Sequence, residues 1–164
     1  MQNKKENEAA FQKSVSLLYG TVSYLAIAQS VVFAVFAKWI VMVLYGNEFM
    51  ATVSVLRVLS LYFVFSFMGS VRNVWILAEQ KQKYLWIINL SGAVMNIVLN
   101  YFMIPAWGAA GAALASFITQ LFANFILGFI MKPIRESNIL FIKGINPKFM
   151  LKESKNLISV LRKS

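Results

Sequence analysis

Between Ala78 and Phe117 the chain reads AEQKQKYLWIINLSGAVMNIVLNYFMIPAWGAAGAALASF, and this stretch restricts its possible folds more than any other. A polar, basic turn (Glu79–Lys83) leads into an apolar run from Tyr84 to Ile104, long enough to cross a bilayer. Pro105 and Gly108 mark a break. A second apolar run then opens with GAAGAALAS, small residues that let helices approach closely. The pattern predicts a hairpin of two transmembrane helices whose polar turn stays in the cytoplasm.

The flanking sequence extends the same scheme. Met1–Ser14 is polar and reads as a solvated lead-in, and Val15–Ala37 is then apolar and uncharged for 23 residues. Lys38 closes that run, with Trp39 and Tyr45 placed like interfacial anchors. Lys38–Leu44 reads as a short surface-lying segment before the turn Tyr45–Phe49. Met50–Ala78 follows, 29 residues interrupted only by Arg57 and Arg72. That is longer than an upright crossing needs, so a tilted or overhanging helix is expected. Lys132-Pro133 ends the last run. The expectation is an all-α integral membrane chain with four spans at about 15–37, 50–78, 84–104 and 109–131. A basic tail, 132–164, completes it. Within that tail, Leu157, Ile158 and Leu161 stand at helical spacing, which suits either an amphipathic helix on an anionic leaflet or a frayed, solvated end.

Composition agrees. Hydrophobic residues make up 59% and charged residues 13% of the chain, against about 25% charged in soluble domains. The bilayer is the expected solvent. The formal charge of +10 raises the possibility of a nucleic-acid partner, and its placement argues against one. Lys4, Lys5, Lys13, Lys81, Lys83 and the eight basic residues of 132–164 fall on one side of a four-span chain, thirteen in all; Lys38 alone falls on the other. Such asymmetry places both termini in the cytoplasm and sets topology rather than forming a nucleic-acid groove. With no Cys and no His, zinc sites, disulfides and imidazole or thiolate chemistry are excluded.

No glycine-rich phosphate loop, paired carboxylates or nucleophile–base arrangement is present, and all six acidic residues lie in flanks or turns, so the chain is not expected to be an enzyme. Metal ligands and cofactor motifs are absent too. Arg57 and Arg72, 15 residues apart on one expected helix, point roughly 60° apart and lie about 22 Å apart along it. Either each snorkels to its nearer interface, or the two line a hydrophilic cavity that receives an anionic headgroup. Asn89, Asn96 and Asn100 share one face of the third span, and Ser116, Gln120 and Asn124 one face of the fourth. Interhelical hydrogen bonding and cavity lining both fit them. The candidate substrate-binding residues are therefore Arg57, Arg72, Asn96, Asn100, Gln120 and Asn124. A cation or proton carrier usually holds a buried acid, so arginines without carboxylates favour an anionic substrate.

Five short motifs occur in order. They are the turn YGNEF at Tyr45–Phe49, VLR at Val55–Arg57, LAEQKQKY at Leu77–Tyr84, NIVLN at Asn96–Asn100 and IPAWGAAGAA at Ile104–Ala113. In this order and spacing the chain resembles the C-terminal region of polysaccharide lipid flippases, the Wzx-type O-antigen exporters of the multidrug/oligosaccharidyl-lipid/polysaccharide exporter superfamily. The resemblance covers about Tyr45 to Ser116. It implies a carrier that moves an undecaprenyl-pyrophosphate-linked oligosaccharide across the bacterial inner membrane by alternating access. Family members have about twelve spans in two bundles, so the chain is expected to be a fragment or truncated reading frame that lacks the N-terminal bundle. Further implied partners are the polysaccharide polymerase and chain-length machinery. The alternatives are a lipid II flippase or cation-coupled drug exporter of the same superfamily, and a membrane-embedded polysaccharide polymerase or acyltransferase.

Overall fold

The computed structural model describes residues 2–161, and the side chains of 6–156 within them. Among the described residues there are helices and turns but no strand. Three helices are long and apolar enough to cross a membrane. The first, α1 (Gln2–Tyr45), runs unbroken through both the polar lead-in and the segment 38–44. No surface-lying piece forms there, because Ala37 and Val41 face the bundle and are fully buried. Gly46, at φ 82°, turns the chain into α2 (Thr52–Ala78). The two helices pack closely through small residues, with Ser30 donating to the Ser60 carbonyl.

At its far end α2 stops in a Schellman motif. The Lys81 amide reaches the Ile76 carbonyl at 2.8 Å and the Gln80 amide reaches Leu77 at 3.1 Å. Gln80 occupies the left-handed position (φ 55°) where glycine is usual. Lys81 lies over the Trp75 ring, 4.3 Å from its centroid, which holds the basic turn against the bundle.

The third long helix, α3 (Lys83–Leu121), contains Pro105 and a single non-helical residue, Gly108, at φ 56° and ψ −133°. That backbone geometry suits only glycine. A side chain at Gly92 would meet Ala123 and Thr119, Asn96 bonds to Thr119, and a side chain at Gly111 would strike the Met103 carbonyl. Contacts thus close on Gly108 from both sides, so α3 folds back into two antiparallel arms where the sequence predicts the break. The second arm continues through a π-turn, Phe122–Ile126, into the short α4 (Leu127–Ile130).

Residues 135–161 are more ordered than a tail. Helix α5 (Arg135–Ile145) runs alongside α1 in the same direction, and α6 (Pro147–Leu161) returns. Gln12 donates to Glu136, Tyr19 hydrogen-bonds Ser137 and meets the Phe141 ring edge-on, and Tyr24 donates to the Ile145 carbonyl at 2.8 Å. Gly144 lies so near α1 that any side chain there would strike the Ser16 carbonyl. On the return, Glu153 pairs with Lys13. The side chains of Leu157, Ile158 and Leu161, and all of Arg162 and Lys163, lie outside the described residues.

The buried core gathers at this end, with Tyr19, Trp75, Ile76, Ile88, Ile134 and Phe141 in one cluster. Around and beyond this core, large apolar side chains face outward: Leu25, Val35, Trp39 and Val43 on α1, and Trp86, Leu90, Ile97 and Tyr101 on the first arm of α3. Water disfavours so continuous an apolar exterior, and lipid accommodates it.

Candidate functional site

The first arm of α3 carries Asn89 and Asn96 on one face; the second carries Ser116, Thr119, Gln120 and Asn124. Because the arms are antiparallel, these faces meet each other and Tyr62 of α2 around a cavity of about 340 Å³. Ile88, Gly92, Ala93 and Ala123 complete its lining. No charged side chain lines it. The walls offer amides and hydroxyls, which both donate and accept hydrogen bonds.

Those groups are also bonded to one another. Asn100 donates to the Asn96 oxygen at 2.9 Å, and Asn96 donates to Thr119 at 3.3 Å. Asn124 donates to the Gln120 oxygen, and Gln120 donates to the Tyr62 hydroxyl at 3.3 Å. Interhelical bonding and cavity lining, alternatives in the sequence, therefore coexist in Asn96, Gln120 and Asn124. Asn100 joins the network from outside the cavity and borders an apolar surface groove with Ile97 and Tyr101.

The two arginines are not brought together. Arg57 is exposed, about a turn and a half into α2. Arg72 is 1% exposed and committed to protein contacts. Its Nη1 donates to the Ala123 carbonyl and its Nη2 to Asn124 Oδ1, both at 2.7 Å. The π-turn explains the first bond: the Leu127 amide reaches back to Phe122, bypassing Ala123 and leaving that carbonyl without its α-helical donor. A buried cation is costly unless its donors are used; Nη1 and Nη2 are, while the buried Nε has no hydrogen-bond partner. Gly69, one turn before Arg72 on α2, leaves the space that Asn124 fills. Instead of a shared cationic stripe, the structure has one exposed arginine and one internal tie.

Sequence reasoning did not single out Tyr62 or Thr119. Thr119 was within reach, three residues after Ser116 and beside Gln120 on the same face. Tyr62 sits in the aromatic run LYFVF, where nothing marks it from its neighbours. Among the described residues no group of three or more His, Cys, Asp or Glu side chains could hold a metal ion. No family model matches the chain, and no curated protein or solved structure matches it significantly.

Proposed function

We propose that the chain is the C-terminal part of a carrier that translocates an undecaprenyl-pyrophosphate-linked oligosaccharide across the bacterial inner membrane. In this reading each arm of α3 crosses the bilayer once, giving four crossings with both ends on the lysine-rich cytoplasmic side. The first arm's apolar run, Tyr84–Ile104, is about 31 Å long at ~1.5 Å per residue, the thickness of the hydrocarbon core.

The observation that carries the reading is the chemistry of the cavity. Walls of amide and hydroxyl groups suit a neutral, hydroxyl-rich glycan, and they hold no carboxylate to pair with a cationic drug. The ordered motifs between Tyr45 and Ala113 support the same substrate class. Arg57, exposed and about 140° around α2 from Tyr62, does not line the cavity but is the arginine left outside the bundle to meet a pyrophosphate at its surface. The far-side links, Gly46–Ala51 and the turn at Gly108, are too short for the large periplasmic loop expected of a polymerase.

Binding to the full chain in nanodiscs tests the reading, with the oligosaccharide-bearing lipid compared against undecaprenyl phosphate alone. The expected result is tighter, saturable binding of the sugar-bearing lipid, weakened about 10-fold by Gln120→Leu through the loss of a buried hydrogen bond. Equal binding of both lipids would contradict it.

A further inference from the structure

We propose that Arg72, through a one-way chain of hydrogen bonds, turns the Tyr62 hydroxyl proton into the cavity, where it reads an acceptor oxygen on the ligand. The identity of that ligand as a glycan rests on the function proposed above; the direction of the chain does not.

A guanidinium can only donate. The side-chain atom of Asn124 that faces Arg72 Nη2 at 2.7 Å is therefore its oxygen. The Asn124 nitrogen then points the other way, and its partner on Gln120 must be the oxygen. That leaves the Gln120 nitrogen facing Tyr62, 3.3 Å from the hydroxyl. Turning either amide over would set donor against donor at one contact, an arrangement that leaves buried polar groups unpaired. The Tyr62 oxygen accordingly accepts, and its own proton is directed elsewhere. Gln120 is the only side chain hydrogen-bonded to that hydroxyl among the described residues, and Tyr62 lines the cavity. A residue sealed 1% exposed inside the bundle thus sets the polarity of a group at the cavity wall. The site so polarised selects a ligand with an acceptor oxygen at this point, such as a sugar hydroxyl, ring oxygen or acetamido carbonyl. It disfavours an ammonium, which can only donate.

Asn124→Asp reverses the chain with almost no change of shape. The carboxylate still pairs with Arg72, yet it can only accept, so Gln120 must turn its nitrogen inward and its oxygen toward Tyr62. Tyr62 then donates to Gln120, and its O–H no longer points into the cavity. The C–O stretching band of ring-labelled tyrosine separates an accepting hydroxyl from a donating one, and Tyr62→Phe assigns that band in the full chain. The band is expected to shift in Asn124→Asp and, by loss of its donor, in Gln120→Leu. Tyr62→Phe is expected to weaken binding of the sugar-bearing lipid about 10-fold in the native background and hardly at all beside Asn124→Asp. An unshifted band in both variants overturns the relay. Band shifts without any binding of the sugar-bearing lipid leave the relay standing and overturn the glycan assignment.

Discussion

Arg57 and Arg72 are the two charges carried by an otherwise apolar helix, and their surroundings assign them opposite weight. Arg72 holds the Ala123 carbonyl and the Asn124 oxygen, so replacing it strands two buried acceptors, each at about 1–3 kcal/mol. Arg72→Met is expected to destabilise the chain by about 2 kcal/mol or more in detergent unfolding. Arg57→Ala, at an exposed position, is expected to stay within about 0.5 kcal/mol. Equal effects would contradict the assignment of Arg72 as an internal tie. The sequence carries this pair only halfway. Helical spacing puts both arginines in one sector, but it holds no information on which neighbour fills that sector at each level. What buries Arg72 is the π-turn at Phe122–Ile126, and no glycine or proline announces it.

Among the elements, the fold of α3 is the most legible and the α5–α6 hairpin the least. Pro105 and Gly108 break an apolar run too long for one crossing, and the chain reverses at Gly108. By contrast α5 buries Ser137 and Asn138 within a basic, patchily apolar stretch. Its docking depends on Tyr19 and on the close approach of Gly144 to α1, contacts more than a hundred residues apart in sequence. Hydrophobic periodicity cannot see such polar and small-residue packing. The return helix is tied down by Glu153, whose carboxyl lies below its ordinary value of 4.5, chiefly through the hydrogen-bonded Lys13 ammonium. The ion pair rather than deep burial holds it there. A carboxyl depressed on folding stabilises fully above its unfolded value and loses that contribution as the pH falls through its folded value. Amide exchange over 147–156 is therefore expected to quicken below about pH 4, and Glu153→Gln to abolish this acid step. Exchange rates in the native chain that do not change between pH 6 and 3, after correction for intrinsic exchange, would count against it.

Across the whole molecule, the apolar exterior, the polar interior cavity and the basic end form one amphiphilic pattern. The packed core sits where α1, α2, α5 and the arms of α3 converge, and apolar side chains face outward along the whole bundle, from Trp86 and Leu90 beside that core to Val35 and Val43 at the opposite end. An apolar belt of this kind fits a bilayer, and in the function proposed above the lysine asymmetry orients it. The central claim is that α3 crosses the membrane twice, as a hairpin. Since the chain has no cysteine, single substitutions Asn47→Cys, Lys81→Cys, Trp107→Cys and Lys132→Cys can be labelled with an impermeant maleimide in intact cells and in inverted vesicles. The expected result is outside labelling at positions 47 and 107 and cytoplasmic labelling at 81 and 132. Position 132 labelled from the side opposite to 81, with 107 shielded from both, would mean a single crossing and would contradict the account.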